Sequence, residues 1–234
     1  AVDLVTEIDL GAEARIVELI SKAFPDDTII AEEGTGTVQP AHRTWYVDPL
    51  DGTTNFSHGV PHFAVSIGLV VDGEPTVGVI YEPIRQWSFH ALKGSGAWLN
   101  NKQIKVSEQA ELGEALLATG FPYDRWVSAD NNIHRCAHLL RQAQGLRRAG
   151  AAALDLAYVA AGWLDGYWEI KLSSWDVAAG LCLVKEAGGC ISGLNGQPVG
   201  VTESNFVATN GHIHDSLVTS LADSEPINEG KVLK

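Results

Sequence analysis

The sequence has few basic residues and no long apolar run. Its 16 Lys and Arg stand against 29 Asp and Glu, a formal net charge of −13 over 234 residues. Basic residues cluster on nucleic-acid-binding surfaces, so this charge balance makes nucleic acid an unexpected partner. The longest apolar run, Phe63 to Val71, is much shorter than the ~18 residues that a membrane-spanning helix needs, so no membrane partner is expected.

Cysteine is scarce and methionine is absent. Cys136, Cys182 and Cys190 stand in apolar or helical contexts without the spacing of metal ligands. An odd number of cysteines without a pairing pattern is typical of a reduced compartment. We therefore expect a cytoplasmic protein, or a plastid protein if a segment upstream of Ala1 is a transit peptide.

Residues 45–56, Trp-Tyr-Val-Asp-Pro-Leu-Asp-Gly-Thr-Thr-Asn-Phe, carry the strongest functional signal in the chain. A short β-rich run leads to two carboxylates, Asp48 and Asp51, and Gly52 allows a tight turn into a helix start. Carboxylates are hard oxygen ligands for cations, and free backbone N–H groups at a helix start bind phosphate. The pattern predicts a cation beside an anion, although the same residue types are also common in surface turns.

Other acidic residues have ordinary explanations when each is taken alone. Asp9 begins an amphipathic helix that we predict to end at Phe24, where it would act as a cap. Glu32 and Glu33 follow a short β-branched run and resemble a solvated turn. Asp176 lies in the first turn of a predicted helix, where the helix dipole favours a negative charge.

The arrangement of apolar runs predicts an α+β fold. Residues 62–71 and 76–82 flank Asp72-Gly73, a strong hairpin signal, and short strands follow at 87–92, 97–99 and 103–106. These strands favour an antiparallel meander. After a polar stretch at 109–114, strands and helices alternate, with helices at 151–161 and 174–187.

Taken in order, these acidic motifs resemble the inositol monophosphatase family of magnesium-dependent, lithium-sensitive phosphatases. The family motifs are a Glu-Glu pair, Asp-Pro-(Ile/Leu)-Asp-Gly-Thr-x-Asn-Phe and Trp-Asp-x-Ala-Ala-Gly, and all three occur here in that order. Asp3-Leu4-Val5-Thr6 is similar to the upstream family motif. The resemblance implies a layered αβαβα sandwich of the inositol monophosphatase and fructose-1,6-bisphosphatase type. Residues 1–112 would be the metal- and phosphate-binding α+β half, and 113–234 a smaller mixed α/β half that completes the active site.

The resemblance also implies roles for individual residues. Mg²⁺ would be the cofactor, and an all-oxygen ligand set favours it over Zn²⁺. The implied metal ligands are Glu32, Asp48, the carbonyl of Leu50, Asp51 and Asp176, with Glu33 immediately behind them. Asp9 and Thr53 would form the catalytic pair that takes the proton of a metal-activated water, without a covalent intermediate. The implied substrate-binding residues are Gly52, Thr53, Thr54, Gly150, Ala151, Ala152 and Glu169, although Ala151 stands where the family often has Ser or Thr.

The implied activity is hydrolysis of a small polyol or sugar phosphate, and the family analogy implies a homodimer. Inositol monophosphate is the leading candidate, while histidinol phosphate and fructose 1,6-bisphosphate stay open. Haloacid-dehalogenase phosphatases, which form an aspartyl-phosphate, are excluded because they require Asp-x-Asp and two residues separate Asp48 from Asp51. A regulatory binding protein on a phosphatase scaffold is the alternative from another class, since some bacterial relatives bind transcription machinery.

Overall fold

The computed structural model describes residues 7–34 and 39–224. The predicted upstream motif, residues 3–6, lies outside these ranges. The helices are α1 Glu7–Ala23, α2 Thr53–Ser57, α3 Ile133–Leu139, α4 Ala152–Ala160, α5 Ser174–Glu186 and α6 His214–Ala222. The strands of the first half are β1 Thr28–Ala31, β2 Arg43–Asp51, β3 Ala64–Val71, β4 Glu74–Glu82, β5 Trp87–Leu92, β6 Ala97–Leu99 and β7 Lys102–Ile104. Those of the second half are β8 Leu116–Thr119, β9 Gly145–Arg147, β10 Gly166–Glu169, β11 Cys190–Ser192 and β12 Phe206–Thr209.

The first sheet has the spatial order β1-β2-β3-β4-β5-β6-β7. β1 pairs with β2 in parallel, and every later neighbouring pair is antiparallel, which confirms the predicted meander. The β3–β4 hairpin turns at Asp72 and Gly73, with φ angles of 51° and 80°. Positive φ at both central residues is what a tight hairpin needs, so this turn sequence fixes the register of the two strands.

The second sheet is mixed, with the order β11-β12-β10-β8-β9. Strand β10 runs parallel to β8 and antiparallel to β12. Its successive side chains point to opposite faces, so Tyr167 joins the core shared with the first sheet while Trp168 joins a separate core with α3 and α6.

Three apolar cores hold five layers of helices and sheets together. Ile20 of α1 packs on β1 and β2, on one face of the first sheet. Helices α4 and α5 fill the space between the two sheets. Helices α3 and α6 cover the outer face of the second sheet. The order is helix, sheet, helices, sheet, helices, which confirms the predicted αβαβα sandwich. The division into residues 1–112 and 113–234 remains a prediction.

Helix α5 lies unusually close to the first sheet. A Cβ added at Gly68 would lie 2.7 Å from the Ala179 nitrogen, and one at Gly78 would lie 2.3 Å from the Ala179 carbonyl oxygen. Both distances are too short for any side chain, so these positions require glycine. The small residues after Asp176 therefore allow a close approach of the helix backbone to the sheet.

The inner face of α1 differs from the predicted apolar stripe. Leu19, predicted to share that stripe with Ile16 and Ile20, is 49% exposed. The buried positions of the helix are Asp9, Glu13 and Ile20. The stripe prediction was wrong at Leu19 because the helix turns a partly acidic face inward, toward the end of β2. Among the described residues, no helix is both long enough and apolar enough to cross a membrane.

Candidate active site

A cavity of about 260 Å³ opens where the end of β2, the starts of α4 and α5, and the end of β10 meet. It brings together most of the residues that the family resemblance implies. These are Glu32, Asp48, Leu50, Asp51, Gly52, Thr53, Thr54, Gly150, Ala151, Ala152, Glu169 and Asp176. Asp9 and Glu33 are not part of the lining, and Asp9 lies beside the lining residue Thr53.

An irregularity at the end of β2 places both aspartates in the cavity wall. The pairing register with β3 shifts between Asp48 and Asp51. One oxygen of the Asp48 carboxylate accepts the Leu50 N–H at 2.9 Å. Gly52 then adopts φ 93°, and a Cβ there would lie 3.0 Å from the His62 carbonyl oxygen. Glycine is therefore needed to turn the chain directly from the second aspartate into α2.

The starts of two helices in the central layer hold two of the acids. Both Asp51 oxygens accept backbone N–H groups at the start of α4, from Ala152 at 3.1 Å and Ala153 at 2.9 Å. Asp176 accepts the Ser173 N–H at 2.7 Å within a capping box of α5. The ordinary capping role of Asp176 is therefore real, and the same carboxylate also lines the cavity. The Ala152 N–H, implied as a substrate contact, is bound to Asp51.

The crowding of these acids changes their protonation. Burial, followed by the charges of Glu32, Asp51 and Asp176, raises the pKa of Asp48 well above its usual range. Burial is also the main cause that raises the pKa of Asp51 to about 8 and that of Asp176 to about 6.

Four clustered carboxylates repel one another unless cations or protons neutralise them, and their oxygens are the donors that Mg²⁺ prefers. The residues present therefore fit Mg²⁺. As the side chains stand, no three acidic, His or Cys side chains of residues 7–34 and 39–224 converge as a metal shell. The hydrogen bonds to Leu50, Ala152, Ala153 and Ser173 hold these carboxylates toward the backbone instead.

The implied catalytic pair lies together beside the end of β2. The Thr53 hydroxyl donates to the Leu50 carbonyl at 3.0 Å, and its oxygen is 3.4 Å from an Asp9 carboxylate oxygen. Asp9 is fully buried, so this carboxylate is a fixed neighbour of the hydroxyl. The Glu33 N–H donates to Glu13 at 2.7 Å. Glu13 was missed from the sequence, and it fixes the turn that carries the Glu32–Glu33 pair.

Asn55 joins the turn after β2 to the start of α4. Its amide nitrogen donates to the His62 carbonyl at 2.8 Å and to the Ala149 carbonyl at 2.9 Å. This bridge explains why the segments that begin at Gly52 and at Gly150 form neighbouring parts of one wall.

Glu169 is held in the cavity wall by its own strand and by β8. The Tyr167 hydroxyl donates to Glu169 at 2.5 Å. A Cβ at Gly120 would lie 2.1 Å from the Glu169 carboxylate, so the carboxylate occupies the space that glycine leaves. Burial raises the pKa of Glu169 to about 7. Lys171, two residues further along the chain, pairs with Asp124 at 2.7 Å rather than with Glu169.

Several lining residues were not predicted from the sequence. They are Gly120, Phe121, Pro122, Tyr123, Arg148, Asp155, Ile170, Lys171, Leu172 and Ser173. Most are apolar or loop residues without a recognisable pattern. The sequence does contain a signal for Asp155, because this acid between Leu154 and Leu156 interrupts an otherwise apolar helix.

Comparisons with known proteins agree with this geometry. The family model described as the inositol monophosphatase family matches residues 1–225. An inositol-1-monophosphatase of a Synechocystis species is 48% identical over 221 residues, which cover 94% of this chain and 77% of that protein. The Nus factor SuhB of Pseudomonas aeruginosa is 46% identical over 231 residues, covering 97% of this chain and 85% of that protein.

A solved structure has the same fold. The inositol monophosphatase from Anabaena (Nostoc) superposes with a TM-score of 0.91 at 46% identity, covering 94% of this chain and 87% of that one. The motifs, the layered fold and these matches agree over nearly the whole chain. The chain belongs to the inositol monophosphatase family.

Proposed function

We propose that this chain, a phosphatase by its family, is a Mg²⁺-dependent phosphomonoesterase that acts on a small polyol phosphate, with inositol monophosphate as the leading substrate. The observation that carries the proposal is the cluster of Glu32, Asp48, Asp51 and Asp176 in one cavity, beside the Thr53–Asp9 pair. Buried carboxylates with raised pKa values are typical of functional sites, because a fold gains no stability from such crowding.

The chain's own residues divide the work of hydrolysis. Mg²⁺, when bound to these acids, would supply charge neutralisation and an activated water. The Thr53 hydroxyl, which contacts the Leu50 carbonyl and Asp9, would accept a proton and pass its own toward the buried Asp9 carboxylate. General-base help of this kind is typically worth roughly 10²–10⁴-fold. The backbone N–H groups of Gly52 and Thr53 would orient the phosphate.

The alcohol half of the substrate would face Glu169. A carboxylate fixed by Tyr167 and Gly120 can accept a hydrogen bond from a polyol hydroxyl. The name of the Synechocystis relative supports inositol monophosphate as the first substrate to test. Histidinol phosphate and fructose 1,6-bisphosphate remain alternatives, since the acids that would bind metal do not determine which alcohol the phosphate is esterified to.

The test is release of inorganic phosphate by the purified chain, with Mg²⁺ or with EDTA, from each of these three esters. We expect hydrolysis only with Mg²⁺, the highest kcat/KM on inositol monophosphate, and inhibition by Li⁺. Full turnover in EDTA would exclude the metal role. Asp223→Asn is the matched control, because Asp223 is exposed and distant in sequence from every candidate ligand.

A second function is favoured by one observation, the name Nus factor SuhB of a relative at 46% identity. A regulatory binding role could accompany catalysis, because it needs a surface rather than the cavity. Pull-down of transcription factors by the wild type and by Asp176→Asn tests it. Equal capture by both proteins supports a binding role that is independent of catalysis. If neither protein captures a transcription factor, the binding role is excluded.

We also propose a cytoplasmic homodimer by analogy with the family. Size-exclusion chromatography with light scattering measures the oligomeric state directly. A mass of 25.0 kDa at micromolar concentration would identify a monomer and contradict the analogy.

A further inference from the structure

Asp155 is a buried carboxylate that the fold leaves without a partner. It lies in the first turn of α4, is 2% exposed, and lines the cavity. Its Oδ1 atom is buried and makes no hydrogen bond. Buried polar groups in folded proteins are almost always hydrogen-bonded, so an orphan of this kind calls for an explanation. Asp155 also lines the cavity, so a group that enters the cavity can approach its carboxyl on the side that the fold leaves open.

The neighbours of Asp155 show which part of the cavity it serves. Burial raises the pKa of Asp155, and the charges of Glu169 and then Asp51 raise it further, while the charge of Arg148 lowers it. The charges of Glu32, Asp48 and Asp176 are not among the causes of this pKa shift. Asp155 therefore lies near Glu169, the carboxylate assigned to the alcohol half of the substrate, and also near Asp51.

We propose that Asp155 accepts a hydrogen bond from a second hydroxyl of the substrate, next to the hydroxyl accepted by Glu169. This inference rests on the proposed function and deepens it by naming the substrate class. Two neighbouring acceptors match two hydroxyl donors on one ring or chain. The site then selects phosphate esters of polyols with adjacent hydroxyls over esters that carry no hydroxyl donor.

A purely structural role does not explain the residue. Oδ1 of Asp155 makes no hydrogen bond within the part of the chain that the structure describes, so this oxygen adds no internal polar contact to the fold. Burying an unpaired carboxylate among two others is unfavourable for folding. A group that costs stability and leaves one oxygen without an internal polar contact is typical of a site built for a ligand.

The first test compares two substrates. Asp155→Asn keeps the shape of the side chain and replaces one acceptor oxygen by a donor. The ratio of kcat/KM for inositol monophosphate to kcat/KM for p-nitrophenyl phosphate should fall about 10-fold or more, mainly through KM for the polyol ester. Glu169→Gln should lower the same ratio. Asp223→Asn should leave the ratio unchanged.

The second test needs no activity and no metal. In EDTA at alkaline pH, the urea midpoint of unfolding of Asp155→Asn and of Asp155→Leu should be higher than that of the wild type, because burial and the charges of Glu169 and Asp51 disfavour the ionised form of Asp155. A lower midpoint for both variants would assign Asp155 to the fold and overturn the inference.

The outcomes separate this inference from the proposed function. If the wild type hydrolyses none of the phosphate esters, the proposed function fails. If the wild type is active but Asp155→Asn loses both substrates equally, or neither, the function stands and the hydroxyl-acceptor role of Asp155 is wrong.

Discussion

The close packing of α5 on the first sheet predicts the effect of adding one methyl group at Gly78. A Cβ there would lie 2.3 Å from the Ala179 carbonyl oxygen, whereas ordinary contacts begin at 3.4 Å. The obstacle is backbone in the middle of a helix, so it cannot rotate away. Helix α5 must recede by about 1 Å, and overpacking of this kind costs roughly 1–3 kcal/mol.

The same displacement reaches the active site. Asp176 lies one turn before Ala179 on the same helix and moves with it. A shift of about 1 Å in a catalytic constellation can cost ~10²-fold in rate. We therefore expect Gly78→Ala to lower both the urea midpoint and kcat, and to raise the Mg²⁺ concentration for half-maximal activity.

The matched control is Gly200→Ala, because a Cβ at Gly200 meets nothing within 4 Å and the backbone there needs no glycine. Its unfolding midpoint and kcat should equal those of the wild type. If Gly78→Ala behaved like this control in both assays, the coupling between sheet packing and the site would be refuted.

Three further predictions concern the acids and Thr53. Asp176→Asn should abolish turnover and keep the fold, since the amide oxygen can still cap α5. If this variant had wild-type rates at saturating Mg²⁺, the role of Asp176 would be limited to capping the helix. Thr53→Ala should lower kcat more than it weakens Mg²⁺ binding measured by calorimetry. The reverse pattern would mean that Thr53 supports the geometry of the metal site. In EDTA, the free energy of unfolding should fall as the pH rises from 4 to 8, because the folded pKa of Asp51 (about 8) exceeds its unfolded value (3.8) and the folded state holds the extra proton. Urea titrations at several pH values measure this slope, and Asp51→Asn should flatten it; a slope unchanged in that variant would assign it to the general excess of negative charge.

Local signals in the sequence predicted much of the fold. Residues 87–92 and 97–99 form strands as predicted, and Asp72-Gly73 makes the predicted hairpin turn. In both cases the pattern and the turn chemistry are local, so neighbouring residues decide the outcome. The resemblance of the acidic motifs to the inositol monophosphatase family implied which residues belong to one site, and their roles remain predictions.

Other features depend on which surfaces meet, and no local pattern carries that information. Leu19 has the spacing of a buried residue, but α1 instead buries Glu13, whose carboxylate accepts the Glu33 N–H in the turn after β1. Glu169 is supported by Tyr167, which a strand pattern counts as an ordinary core residue, and by Gly120, which directly follows β8. Such contacts follow from tertiary packing, which overrides local preference.

The position of α5 between the sheets has a consequence for biosynthesis. A nascent chain that has emerged only as far as β7 carries Asp48 and Asp51, but the N–H groups that hold Asp51 come about 100 residues later, from α4. Asp176 follows later still and reaches the cavity only when α5 rests on Gly68 and Gly78. Contacts of such long range form late in folding. The complete set of acids therefore exists only in the finished fold, and a cation that binds it stabilises that state alone.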